Sequence, residues 1–419
     1  MKRMIHSVAC IGLSLLLLMQ TVGCADKMQA QDLTKSVRRE DPAGKAADAS
    51  FKTAAADFSI ALFQAAVQAD DSLADGKNAL ISPLSVMLAL TMTANGADGK
   101  TRDEMEAVLG GEISLEELNE YLYTYVEKLP SSKGERMHLA NSLWIREDKM
   151  NVEQDFLQKS TDYYKASIYE APFDEQTVKD INSWVDQHTD RMIDQLVEKL
   201  DPRAMILLLN ALAFDGLWET SFAEDAVSYE WFYPEKEGKD PQSIKMLTGK
   251  EMLYIDDGET TGFLKPYKKR NYSFAALLPG EDCSMEEFVS SLTGEKFLEW
   301  MQSARETEVE IMLPKFKCEY STKLKDALIS MGMPTAFGDE SNFYKMGSAS
   351  GGPLYINNVI HKTYISVDEQ GTKAAALTEV EMYLRGPGTA VNLNRPFVYA
   401  IIDNATSLPL FIGMVNDLS

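Results

Sequence analysis

Few stretches of this sequence bring together side chains able to attack, ligate or exchange protons at a useful spacing. Gly96-Ala97-Asp98-Gly99-Lys100-Thr101 resembles the end of a phosphate-binding loop, whose backbone amides and lysine would cradle a phosphate. That pattern needs a glycine at position 94, where the chain has Ala94, and helical rather than strand spacing precedes it. A glycine-rich turn between two helices is the better reading. His138, His188 and His361 are the histidines beyond the N-terminal region, and neither HExxH nor CxxC occurs, so no zinc site is indicated. Gly347-Ser348-Ala349-Ser350-Gly351 has the glycine spacing of a nucleophile elbow, but Ala349 stands where the nucleophile belongs, which leaves a loop. The 64 acidic residues are too many for any pair to be singled out as acid and base. The sequence therefore predicts no enzyme, no metal and no cofactor.

The segment Gly371-Thr372-Lys373-Ala374-Ala375-Ala376-Leu377-Thr378-Glu379-Val380-Glu381-Met382-Tyr383 offers another kind of chemistry. It follows a strand and ends at the turn-forming Gly386-Pro387-Gly388. With a period of two, the even positions Thr372, Ala374, Ala376, Thr378, Val380 and Met382 are uncharged, whereas the odd ones hold Lys373, Glu379 and Glu381. One face could be buried in a sheet. Periodicity alone favours an exposed alanine-rich loop or helix.

The elements that must position this segment follow from the rest of the chain. A length of 419 residues with 45% hydrophobic and 25% charged residues supplies a sizeable core, in one large domain or two fused lobes. The net charge of −23 argues against a non-specific grip on nucleic acid or anionic lipid, both of which need a basic surface. Lys2 and Arg3, the apolar run 8–19 and small residues up to Cys24 have the layout of a secretory signal, too short to span a bilayer. Thr21-Val22-Gly23-Cys24 resembles a bacterial lipobox, with Thr21 in place of the usual leucine. Residues 1–23 are read as a lipoprotein-type signal and Cys24 as the lipidated first residue, with ordinary secretion after cleavage near Ala25 or Ala30 as the alternative. The implied destination is the bacterial envelope, periplasmic or cell-surface, and the lipid is the only membrane attachment expected.

Residues 24–50 are polar, without sustained apolar period, and read as a flexible tether; folding starts near Phe51 and fills 51–419. Cys283 and Cys318 remain in that part and imply no disulfide framework. Phe58, Leu62, Ala65 and Ala66 recur at helical spacing, and Ser82-Pro83 opens the next helix with a cap residue and a first-turn proline. Ile181 to Val185, with Met192, Ile193 and Leu196, reads as an amphipathic helix. Residues 205–214 form an apolar run interrupted by Asn210, as in a strand or helix buried on both faces. The second half is β-rich at 272–278, 309–313, 355–360, 364–367, 397–402 and 410–415, with a helical stretch at 321–331. No internal repeat is present, and the mixture predicts an α+β protein.

From about Phe51 to the C-terminus the sequence resembles the serpin family. Asn78-Ala79-Leu80-Ile81-Ser82-Pro83-Leu84-Ser85 is similar to the family's early helix motif, and Leu209-Asn210-Ala211-Leu212-Ala213-Phe214-Asp215-Gly216-Leu217-Trp218 to its central strand. His361, Glu369-Gln370-Gly371-Thr372 with the alanines that follow, Asn394-Arg395-Pro396-Phe397 and Phe411-Ile412-Gly413 complete the resemblance. It implies three β-sheets, eight or nine helices and an exposed reactive-centre loop at about 369–393.

The resemblance also implies a function. A protease cleaves the loop, an acyl intermediate forms, and the released loop enters the main sheet as a new strand. Glu369, Gly371, Thr372, Ala374, Ala375 and Ala376 are then the hinge. Counting fourteen residues on from Gly371 makes Arg385–Gly386 the reactive bond, with Met382, Tyr383, Leu384 and Pro387 as further bait; Asn394 follows Arg385 by nine residues, the usual separation. An arginine there suits trypsin-like serine proteases, because guanidinium forms paired charge-assisted bonds with a carboxylate. Arg-specific or papain-like cysteine proteases also form acyl intermediates and are the alternative target class. Ser82, Ser85, Asn210 and His361 correspond to the family's shutter, and Trp218 to its breach. The implied partner is a target protease met by a monomer. A non-inhibitory binding protein of the same fold is the competing reading, against which the small, uncharged Thr372, Ala374 and Ala376 speak.

Overall fold

The computed structural model describes residues 28–147, 149–201, 204–349, 352–372 and 389–419. Segment 1–23, Cys24, Ala374, Ala375, Ala376, Leu377, Thr378 and the bait residues 382–387, with Arg385–Gly386 among them, lie outside the described residues.

Nine α-helices occur among the described residues: α1 (Ala49–Ala69), α2 (Pro83–Ala94), α3 (Gly99–Gly110), α4 (Leu115–Lys128), α5 (Gln154–Tyr164), α6 (Glu175–His188), α7 (Met285–Ser291), α8 (Gly294–Ser303) and α9 (Lys325–Met331). Local chemistry sets their starts. Asp48 accepts from Phe51 N to cap α1, Asp174 forms a capping box with Thr177 at α6, and Ser284 does the same with Glu287 at α7. Helix α2 is buried along its whole length, which is why its sequence is apolar or small all round. Pro83 is its first residue as anticipated, but the Ser82 side chain makes no cap bond.

The strands form three sheets. The seven-stranded sheet runs in the order β1 (Gln31–Asp32), β5 (Ser167–Ala171), β3 (Glu135–Arg146), β6 (Ile206–Leu217), β15 (Gly371–Thr372), β14 (Asn358–Val367), β12 (Phe316–Lys323). A nine-stranded sheet follows β16 (Ala390–Asn392), β11 (Arg305–Pro314), β8 (Gln242–Asp256), β9 (Thr260–Pro266), β10 (Tyr272–Pro279), β17 (Phe397–Asp403), β18 (Pro409–Val415) and β2 (Ala79–Ile81), with β7 (Val227–Phe232) beside β8. The third sheet pairs β4 (Met150–Val152) with β13 (Gly347–Ala349). This is the expected α+β architecture.

The main core lies on one face of the seven-stranded sheet and takes Ile206, Leu208, Leu212 and Phe214 from β6. The other parity, Leu207, Leu209 and Ala211, packs into a second cluster with Trp184 and Val185 of α6. Strand β6 is thus covered on both faces, the reason it reads as an uninterrupted apolar run.

Several expected boundaries are corrected. Helix α6 ends at His188, because Asp190 and Arg191 take left-handed backbone conformations (φ 50° and 61°); Ile193 and Leu196 are buried in the irregular segment that follows. Residues 358–360 and 364–367 belong to a single strand, β14, with 355–357 outside it, and 321–323 belong to β12, so that helix α9 starts only at Lys325. Gly347–Ala349 is a strand rather than a loop.

The tether expectation is overturned from residue 28 onward. Strand β1 pairs antiparallel with β5, Gln29 N and Ala30 N each donate to Asp180 Oδ2 at 2.8 Å, and Glu40 N donates to Asp162 Oδ1 at 2.8 Å. Partners more than a hundred residues away hold this segment, and no local apolar period announces them.

Candidate functional site

Strands β6 and β14 run parallel and pair directly from Asn358↔Leu207 to Tyr364↔Ala213. Beyond that they part. Into the gap folds the end of the β14–β15 hairpin, so that Gly371 pairs with Leu217 and Thr372 with both Gly216 and Val367. The turn is held by Asp368, whose Oδ1 accepts from Gln370 N (2.9 Å) and Gly371 N (3.2 Å). A Cβ on Gly371 would lie 2.0 Å from Gly216 O, and one on Gly216 would strike the Phe214 and Tyr267 rings, so two glycines let the strands close here.

This turn is fastened from several sides. Trp218 Nε1 donates to Asp368 O (2.9 Å), Trp218 N to Gln370 O (2.9 Å) and Phe222 N to Glu369 O (2.8 Å). Thr372 is fully buried, its Oγ1 2.7 Å from Tyr267 OH, and the Tyr267 ring stacks on Trp218 with centroids 4.7 Å apart. Burial pushes the Tyr267 phenol well above its ordinary range, so it stays a neutral hydroxyl. Lys315 Nζ reaches both Glu369 oxygens, at 2.8 and 2.7 Å. Burial alone would raise the Glu369 carboxyl, but Lys315 outweighs it and holds it below the usual carboxylate range. Beneath Trp218 a buried Lys265 donates to Glu251 Oε1 (2.6 Å) and Thr220 O (2.9 Å), its Nζ 5.3 Å from the Trp218 ring and 4.3 Å from that of Phe222. Burial raises the Glu251 carboxyl against the pull of Lys265.

Further along the seam Ser82, Ser85, Asn210 and His361 meet as expected of a buried polar cluster. His361 and Asn210 are register partners, with His361 Nδ1 3.1 Å from Asn210 Oδ1. Ser82 N donates to His361 Nε2 at 3.0 Å, which makes Nε2 the acceptor and puts the imidazole proton on Nδ1. Asn210 Oδ1 also accepts from Ser85 Oγ, while its Nδ2 donates to Ser85 O and Asn141 Oδ1, each at 2.5 Å. The cluster therefore ties α2, β3, β6 and β14 together. Complete burial lowers the His361 pKa to about 3, so the ring is neutral. Ser82 Oγ is buried without a hydrogen-bond partner among the described residues.

The structure thus assembles Glu369, Gly371, Thr372 and Trp218 at the parted end and the four polar residues at the paired part. Asn141, Tyr267, Lys315 and the Lys265–Glu251 pair escape sequence reasoning, because each joins the site from a distant element and none stands in a periodic pattern. Among the described residues no group of three or more His, Cys, Asp or Glu is placed to hold a metal ion. Cys283 and Cys318 are both free thiols, and burial pushes the Cys318 thiol up to about 11.

A family model described as "Serpin (serine protease inhibitor)" matches residues 53–418. Among curated relatives, human serpin B3 is 30% identical over 364 residues, 80% of this chain and 92% of the relative. Serpin-ZXA of Oryza sativa subsp. japonica is 30% identical over 358 residues, 81% and 90% of the two chains. Among solved structures, the thermophilic serpin tengpin in its native state is 45% identical with a TM-score of 0.88, covering 93% of this chain and 100% of that one. Tengpin in its latent state is 44% identical at a TM-score of 0.79, covering 90% and 100%. The fold of this chain is thus closer to the native than to the latent form of that relative.

Proposed function

The chain belongs to the serpin family, and from that premise we propose that it is a suicide inhibitor of Arg-specific serine proteases, with Arg385–Gly386 as the reactive bond. In this reading the protease serine attacks the Arg385 carbonyl carbon, the Gly386 amine leaves, and an ester links the enzyme to the inhibitor. The freed segment then extends β15 between β6 and β14 before water can hydrolyse the ester.

The observation that carries the reading is the seating of Gly371–Thr372 between strands already parted at one end. Thr372 is the first even-numbered residue of the segment and its side chain is buried. The same parity carries Ala374, Ala376, Thr378, Val380 and Met382 to that face, all uncharged. On the order of a dozen new strand hydrogen bonds at about 1 kcal/mol each amounts to roughly 10 kcal/mol, comparable with the stability of a whole domain. Serpins are generally protease inhibitors rather than enzymes.

The reading extends to place. A lipid on Cys24 would hold a monomeric inhibitor at the bacterial envelope, periplasmic or cell-surface, where it meets foreign or neighbouring proteases.

The test is to mix the protein from Ala25 onward with trypsin and run denaturing gels. A complex that survives boiling, with a small fragment beginning at Gly386, is the expected result. Clean cleavage without a complex, by trypsin and by an Arg-specific cysteine protease alike, would overturn inhibition in favour of a binding role for the same fold.

A further inference from the structure

Five large hydrophobic side chains are exposed among the described residues, and three of them follow one another on a single edge strand: Tyr229 (68%), Trp231 (54%) and Tyr233 (48%). Alternate positions on a strand share a face, which sets these rings about 7 Å apart in one row on the outer side of β7. Phe232, of the opposite parity, is fully buried and supplies the strand's attachment to the core. The fold has no use for the outer row, and an exposed aromatic edge strand carries a risk of aggregation.

Both roots of the reactive segment bracket this strand. Phe222, five residues before β7, donates its N–H to Glu369 O, and Tyr233, just after β7, donates its own to Asn394 O, each at 2.8 Å. Lys245, the register partner of Tyr229, accepts from Lys315 N, and Lys315 holds Glu369. On the inhibitor reading, β7 is thus a surface beside both roots of the segment that the protease engages. Asp225, Glu235 and Glu237 occur along the row with Lys236, whose Nζ is directed to Asp75 at 3.6 Å, and Lys245 sets its Nζ 5.8 Å from the Tyr229 ring centroid, which leaves Trp231 and Tyr233 as the rings with no cation of this chain over them among the described residues. Glu235 accepts from the neutral donor Met285 N, which leaves its charge in place. Aromatic faces beside carboxylates suit Arg and Lys, and desolvated aromatic anchors dominate the energetics of interfaces.

We propose that Tyr229, Trp231 and Tyr233 form a docking surface for the target protease, seating Arg and Lys side chains from the protease surface next to its active-site cleft. The identity of the partner rests on the inhibitor reading; the surface itself rests on the exposed row and its charge.

The experiment measures reversible binding of cationic and anionic trypsin, each with its nucleophilic serine replaced by alanine, to the protein from Ala25 onward, which keeps every described residue. The triple variant Tyr229→Ala/Trp231→Ala/Tyr233→Ala is expected to raise the Kd for the cationic enzyme at least tenfold at low salt and that for the anionic enzyme less than twofold. Tyr344→Ala, at an exposed ring outside the row, is expected to leave cationic binding unchanged. An unchanged Kd in the triple variant, an equal loss for both trypsins, no binding at all, or self-association of the wild type that the variant abolishes would overturn the proposal. Active trypsin separates the two readings. Boiling-resistant complexes with a row-independent Kd remove the docking surface alone, whereas row-dependent binding without such complexes removes the inhibitor reading alone.

Discussion

His361 and Asn210 face each other across the paired part of the β6–β14 seam, ring nitrogen to amide oxygen at 3.1 Å, and no charged side chain belongs to their hydrogen-bond cluster. In the proposed mechanism this clasp must break when a strand enters, so its strength would set how readily the sheet opens without cleavage. Asn210→Ala leaves the buried His361 Nδ1–H without its partner, at about 1–3 kcal/mol, while Ser85 Oγ keeps Ser82 O at 3.1 Å and the half-buried Asn141 loses one bond. The expected outcome is a fall of about 2 kcal/mol in unfolding free energy, read as a lower urea midpoint with unchanged slope. Protease trapping should also be lost faster on warm storage. An unaltered midpoint would show that the cluster only fills space.

Extending β15 in its observed register assigns each incoming residue a place. Thr372 opposite Gly216 makes each β15–β6 pair sum to 588, and Thr372 opposite Val367 makes each β15–β14 pair sum to 739. Both sums put Thr378 between Asn210 and His361, where a small hydroxyl can replace the bond it separates. Thr378→Arg should therefore let cleavage proceed but stall insertion, raising the number of inhibitor molecules consumed per protease trapped at least tenfold in a titration against trypsin. A variant as efficient as the parent would mean that insertion stops short of residue 378.

Glu369→Lys sets two ammonium groups against each other where Lys315 now bonds the hinge. Both side chains are partly exposed, 38% for Lys315 and 24% for Glu369, so the pair itself contributes no more than about 1 kcal/mol and global unfolding should shift little. The hinge turn, however, should detach. Size-exclusion chromatography after incubation below the melting temperature should show oligomers in the variant and not in the parent; an equally monomeric variant would count against the pair as a fastener.

The buried imidazole gives a pH dependence of definite sign. His361 titrates at about 3 in the fold against an ordinary 6.5, so the unfolded chain binds more protons between those values. Its contribution is fully present above pH 6.5 and is lost as the pH falls toward 3. Urea midpoints measured from pH 7.5 to 4 should decline more steeply for the parent than for His361→Gln. Parallel curves would mean that carboxylates alone set acid stability.

What could be read from sequence follows from how local each signal is. Strand β6 stands out because both of its faces are covered, and Ser82-Pro83 marks a helix start by two adjacent residues. Strand β8 is hidden: Lys245, Gly249, Lys250 and Glu251 break any alternation, since its faces change neighbours as it passes from β7 and β11 to β9. Strand β14 reads as two pieces because His361, Lys362 and Thr363 interrupt its apolar residues, His361 for the clasp and Thr363 for a bond to Leu80 O. In the extended register Leu377 would fall opposite Ala211, on the face that α6 covers with Trp184. An apolar side chain suits that place. The four-residue polar cluster was legible through resemblance, whereas Asn141 and Tyr267 become visible only once β3 and β9–β10 are laid beside it.

The stitching of residues 29–32 to Asp180 and β5 fixes a distance as well as a strand edge. Between Cys24 and Gln29 lie five peptide links, a reach of at most about 18 Å even fully extended. If Cys24 carries lipid, the body stands within that height of the bilayer on the β1–β5 side, unable to sweep a wide radius on a long leash. Such an inhibitor patrols a thin shell of the envelope, and its effective concentration is high toward proteases that graze the surface and negligible toward those that stay in bulk solution.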